Sequence, residues 1–441
     1  MKPGNINAGN QQLPRMAAAL VPRELTNWSL TAVALAALEG GLLGVIVKNQ
    51  FAGVTTPMLL NIAVAAVAAA PSFSNLASFM FAAMAAGRDK LALLSKLMVL
   101  MGLCLVIMAL PERTSTGLVI FCVTAILART AWSGILIVRA AVWRANYSRA
   151  WRARVTARIV QLSSLLMAAY SALIGLLLDW RPDAFRPAFV LGAICALAAA
   201  NVTRKSRFRR QRQLIAAELA EQTLQGRRLS LSVLTSVLRR DIDFRHYMQG
   251  MMVFGSGNLM LLPMLVILLN EQLHLGQLHQ VTVTSSLPLL VLCFSISFWG
   301  RMLDRLHIFS YRAVHSWFFV GSSALFATAV ITQRTELLWP ASVIMGGAYA
   351  GGHLGWNLGH NDFSSDGNAS HYMAIHVMLT GLRGLVMPLI GVGFYEILNA
   401  WRPEIATWAL LLPLSLSMSG ALIFVVLHLQ MTRRKSSGGA A

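Results

Sequence analysis

The sequence predicts an all-α membrane protein of about 12 transmembrane helices in two pseudo-symmetric six-helix halves. Three observations carry this. Of 441 residues 56% are hydrophobic and 12% charged, and the mean hydropathy is +0.61, more apolar than a soluble domain of this length can hide. The apolar residues fall in runs of roughly 20, the length that crosses a bilayer as a helix, and a helix pairs every backbone group internally. The 37 Lys and Arg stand between the runs, mostly in alternate loops.

Taken in order, the first 27 residues are polar with scattered Lys2, Arg15 and Arg23, and the run that follows is long enough to be kept as a helix. Spans are expected at 28–47, 56–84, 91–110, 116–141, 155–178 and 187–202, then at 246–270, 279–299, 312–333, 338–359, 372–398 and 405–429. Residues 203–245 form a basic central loop and 430–441 a tail. Twelve spans return both termini to one side. Lys48, Arg113, Arg181, Arg186, Arg334 and Arg402 then fall on the other side, Arg129, Arg139 and Arg383 lie within spans, and the remaining 28 basic residues share the side of the termini. That excess makes the termini and the central loop cytoplasmic, in a cell inner (plasma) membrane.

The same topology accounts for the net charge of +20, so nucleic acid is not an expected partner; the lipid bilayer is. The central loop, with Arg204, Lys205, Arg207, Arg209, Arg210 and Arg212, reads equally as a helix on anionic headgroups or as a solvated linker. Cys104, Cys122, Cys195 and Cys293 sit singly in apolar stretches, which offers neither a disulfide framework nor a zinc site.

The halves repeat. Ala85-Ala86-Gly87-Arg88-Asp89-Lys90 follows the second span and Gly300-Arg301-Met302-Leu303-Asp304-Arg305 the eighth; Asp89 and Asp304 are 215 positions apart, as are Asn146 and Asn361 after the fourth and tenth. Two equivalent loops sharing one offset indicate a duplicated unit. The second loop, with Arg312 beyond it, resembles the loop signature of the major facilitator superfamily, and the first is a weaker copy with Ala85 for glycine and Lys90 for arginine. The resemblance implies alternating access and a gating role for Ala85, Asp89, Lys90, Gly300, Asp304 and Arg305. Physically, the small residue lets helices approach, and the Asp can pair with Arg or a helix N-terminus across the halves. A glycine-proline signature of drug-proton antiporters is missing from the fifth span, which counts against a multidrug exporter.

Charges within spans are costly and therefore functional candidates. Glu39 is a candidate for proton coupling, or for a structural pair with Arg129. Arg129 can grip a carboxylate or phosphate through two parallel bonds; Arg383 suits packing or gating. The resemblance implies that the first, fourth, seventh and tenth spans line a central cavity. In the tenth, Tyr349, His353 and Trp356 recur at i, i+4 and i+7 with Asn357 beside them, on a helix slimmed by Gly346, Gly347, Gly351, Gly352, Gly355 and Gly359. In the seventh, Gly255-Ser256-Gly257-Asn258 before Pro263 is apt to bend and present carbonyls, which makes Asn258 a candidate.

The expected function is a secondary transporter, proton-coupled, of a small organic solute, with an anionic one suggested by Arg129; a monomer is expected. Met248, Met251, Met252, Met260 and Met264 keep open a copper importer, since thioethers can pass Cu(I), although methionine is also a core filler. A non-transporting sensor or assembly partner is the third reading. No phosphate loop, zinc-protease or serine-nucleophile motif occurs, so neither an enzyme nor a cofactor is expected.

Overall fold

The computed structural model describes residues 15–147, 149–224, 231–364 and 369–437. Every element is helical. The first half runs α1 (Arg15–Ala36), α2 (Gly40–Gln50), α3 (Pro57–Phe73), α4 (Ser78–Ala85), α5 (Lys90–Ala109), α6 (Ser115–Asn146), α7 (Arg149–Trp180) and α8 (Phe185–Arg204). The linker forms α9 (Gln211–Leu224) and α10 (Leu231–Arg240). The second half comprises α11 (Ile242–Glu271), α12 (Gln277–Val281), α13 (Leu287–Leu303), α14 (Ile308–Ile331), α15 (Leu338–Leu358), α16 (Ala369–Trp401) and α17 (Leu411–Ser437).

Among the described residues ten stretches are long and apolar enough to cross a membrane, and the bent pair Pro57–Ser72 and Ser74–Ala85, taken as one span, makes an eleventh. The twelfth, α15, has 21 residues and spans roughly 31 Å at ~1.5 Å per residue; its five glycines lower its hydropathy without shortening it. Leu100, Leu103 and Ile107 on α5, Leu382, Leu385 and Leu389 on α16, and Leu422, Val426 and Leu429 on α17 point outward and exposed, as a lipid-facing surface requires.

Several expectations about boundaries change. The first span is longer than 28–47 and is two helices, α1 and α2, separated at 37–39. Helix begins at Arg15, so much of the supposed polar segment is helical, while residues 1–14 lie outside the described residues. The central linker is also helical, with 225–230 outside the description.

Symmetry is visible in which helices meet. The second span (α3) packs on the eleventh (α16), and the fifth (α7) on the eighth (α12 and α13). Shifting each index by six exchanges these two seams, as a pseudo-twofold between halves demands. The first and seventh spans (α2, α11) meet across the axis.

Candidate functional site

The centre of the molecule is built around a broken helix. α1 ends at Ala36, and Glu39, in extended backbone conformation, caps α2: its Oε2 accepts from the N–H of Gly41 at 2.8 Å and of Leu42 at 3.1 Å. A carboxylate there answers the unpaired N–H groups of a helix N-terminus, which in hydrocarbon would otherwise be costly. The same oxygen accepts from the Ser285 hydroxyl of the other half. Ser285 belongs to a π-helical turn, Thr282–Ser286, in the eighth span, a local widening that brings Thr284 and Ser285 against the break. Gly41 permits this approach, since a Cβ there would lie 2.9 Å from Thr284 Oγ1 and 3.1 Å from the Glu39 carboxylate.

Arg129 on α6 reaches over this break. Its Nη1 donates to the Leu38 carbonyl at 3.4 Å, its Nε has no partner, and it lies within electrostatic reach of Glu39. Tyr349 of α15 is also within reach of Glu39. One turn on, His353 is exposed yet within reach of Arg139 on α6, so its exposure is to space between the halves. Glu39, Arg129, Tyr349 and His353 therefore gather around one interface.

The other candidates lie elsewhere. Asn258 accepts from Ser417 of α17 at 3.1 Å, within the second half. Trp356 donates to Thr380 of α16 at 3.2 Å, and Asn357 turns back onto the His353 carbonyl at 2.7 Å. Arg383 is buried against α11, with Nη1 on the Met251 carbonyl and Nη2 3.3 Å from Thr380 Oγ1. α11 does not break: it is helical through Pro263, and Gly255 and Gly257 serve close packing, one under Arg383 and the other against Pro413 and Ser417. Met260 and Met264 pack on Gly391 in the hydrophobic core.

The two signature loops also differ from expectation. Asp89 caps its own helix, accepting from Leu91 N–H at 2.9 Å and Ala92 N–H at 3.1 Å, so it pairs locally rather than across the halves. Lys90, buried, binds Glu218 of linker helix α9 at 2.7 Å and the Ala85 carbonyl at 3.4 Å, and the Gly87 N–H donates to the same Glu218 at 2.8 Å. Helix α9 of the linker is thus held to the first half, while α10 packs on α11 and α16 of the second. In the second copy Asp304 and Arg305 are exposed, and Gly300 has no atom nearer its Cβ position than Leu354 at 3.9 Å. The close approach is made instead by Gly346 against Pro288 and Gly351 against His315 and Trp299.

Two groupings were not apparent in the sequence. Beside His353, Arg139 stacks 4.5 Å from the Trp28 ring centre and 4.4 Å from that of Trp143, while Glu24 accepts from both indole N–H groups, at 2.7 and 3.1 Å. Glu24 stands in what reads as a polar N-terminal stretch; its signal is the i, i+4 spacing to Trp28. At the end of the bundle opposite the linker, buried Lys48 binds Glu271 and, at 2.6 Å, Asn61. Asn61 donates to Glu271 at 3.0 Å and to Glu396 at 2.5 Å, and Tyr395 also donates to Glu271. Asn270 to Asn49 at 2.8 Å and Gln50 to Gln277 at 3.0 Å extend these cross-half ties. No side-chain bond joins α6 to α15 among the described residues.

A multi-pass bundle of two repeated halves, polar at their mutual face and tied at one end, defines the class of secondary carrier. The chain belongs to the major facilitator superfamily: the family model described as Major Facilitator Superfamily matches residues 27–388. Its members are transporters rather than enzymes. The fold is similar to that of a D-xylose-proton symporter (TM-score 0.68, 12% identity, 93% of this chain and 97% of that one). It is likewise similar to the POT family transporter PepTSo (0.68, 11%, 96% and 99%) and to nucleoside transporter NupG (0.59, 14%, 94% and 99%). At these identities the likeness establishes the fold alone. No curated protein matches the chain significantly in sequence.

Proposed function

We propose that this transporter couples movement of a small organic solute, preferably an anionic one, to protons, with Glu39 as the coupling group and Arg129 as the solute's cationic anchor. The carrying observation is the placement of Glu39: one carboxylate oxygen holds the start of α2 and at the same time the Ser285 hydroxyl of the opposite half. Adding a proton weakens that oxygen as an acceptor and so loosens a tie between the halves. Arg129, with its Nε unpartnered, offers donors to a carboxylate or phosphate; Tyr349 and His353 add hydrogen-bonding groups.

In this reading the linker end is cytoplasmic, the membrane is the inner one, and the state described here is shut to the outside by the Lys48–Glu271 group. Proteoliposome uptake tests it. Candidate organic anions should accumulate when a pH gradient is imposed and only equilibrate without one; uptake indifferent to the gradient overturns proton coupling.

A further inference from the structure

Away from the Glu39 break, the second half buries a set of nitrogen and hydroxyl donors with no acid bonded to them. Arg312 on α14 is 1% exposed, Arg383 4%, and His376 and Tyr247 0%. Among the described residues, the Arg312 side chain hydrogen-bonds only His315 Nδ1, at 3.3 Å; its Nε and Nη2 have no partner there, nor do Arg383 Nε, either nitrogen of His376, or the Tyr247 hydroxyl. These groups converge. His376 is within electrostatic reach of both arginines, the arginines are within reach of each other, and the His376 and Tyr247 rings are 6.3 Å apart. A Cβ at Gly355 of α15 would lie 2.9 Å from Arg312 Nη2, and one at Gly359, just past the end of α15, 2.9 Å from the Tyr247 hydroxyl. Two unpartnered donors thus lie along consecutive turns of one glycine face. Among the described residues at this end, Asp241 accepts from Phe244 N–H and Tyr372, and Asp362 from Ile308 N–H.

Two buried guanidiniums repel each other and are costly to leave unpaired away from water. A counter-ion among them removes both penalties at once. We propose that Arg312, Arg383, His376 and Tyr247 form a binding site for a small inorganic anion of halide size, inside the second half and separate from the solute interface. The glycine face leaves donors close to backbone, which fits a compact ion better than a branched organic one. The ion would fasten α14 and α16 to α11 and α15, so its effect is on the stability of this half.

Bromide serves as the probe on the full-length protein purified in detergent. Replacing sodium gluconate with sodium bromide at constant ionic strength should raise the thermal unfolding midpoint by several degrees and saturate, as binding to the folded state alone requires. Glu39→Gln should show the same rise, which separates this site from proton coupling. Arg312→Gln should lose it. If Arg312→Gln does not fold, anomalous diffraction from bromide-soaked crystals of the unaltered chain decides. A bromide peak between Arg312, Arg383 and His376 supports the site; a midpoint indifferent to bromide, or bromide bound elsewhere with none in this cluster, overturns it.

Discussion

At the scale of single residues the energetics turn on what each buried polar group touches. Glu39→Gln keeps shape and much of the capping ability at α2 but removes titration. The variant should insert normally and exchange solute across the membrane, while gradient-driven accumulation falls to the equilibrated level; paired exchange and accumulation assays check this. Arg129→Lys replaces a planar two-pronged donor by a point charge, and solute affinity should fall at least about tenfold, since one lost charged hydrogen bond is worth ~1.5–3 kcal/mol, read by equilibrium binding. Both residues were legible in the sequence because a charge inside an apolar run stands out. Ser285 was not: a serine in a span is unremarkable until the π-turn aims it at Glu39. Trp356 failed for a related reason. Spacing along α15 places it near the face of Tyr349 and His353, but its indole N–H, which must find a partner, finds Thr380 on α16.

At the scale of elements, glycines decide how closely helices meet. The glycine run in α15 announces a slim helix, and the structure divides its surface: Gly346, Gly351 and Gly355 take α13 and α14, while Tyr349 and His353 keep the face toward the other half. Gly351→Val would drive two methyl groups into His315 and Trp299. Overpacking of this kind costs ~1–3 kcal/mol, so the unfolding midpoint in detergent should drop, with protein yield falling alongside. The break between α1 and α2 was partly legible, as Leu38-Glu39-Gly40-Gly41 contains a capping acid and two glycines, yet a hydropathy reading runs straight through it. Glu218 was less so. Its sequence neighbours suggest an amphipathic linker helix, and only the fold brings its carboxylate to Gly87 N–H and Lys90.

For the molecule as a whole, the twelve-helix plan and its repeat were readable because lipid forces every span to declare itself by length and hydropathy, and because the motif loops share one offset. Which end carries the cross-half ties was not readable, since they are tertiary pairs such as Lys48–Glu271, more than 200 positions apart. If the halves rock about the central interface, these ties must break in every cycle, and holding them together should stop transport without harming the fold. Asn49 and Asn270 test this, being hydrogen-bonded across the halves at 2.8 Å. In a background with Cys104, Cys122, Cys195 and Cys293 replaced by Ala or Ser, the pair Asn49→Cys and Asn270→Cys can be bridged by a short bifunctional thiosulfonate. Bridged protein in proteoliposomes should lose nearly all solute uptake, each single-cysteine variant treated alike should keep it, and a reductant should restore it to the bridged pair. Undiminished uptake by fully bridged protein would mean that this end does not open during transport, and the alternating-access role given to the Lys48–Glu271 group would fail with it.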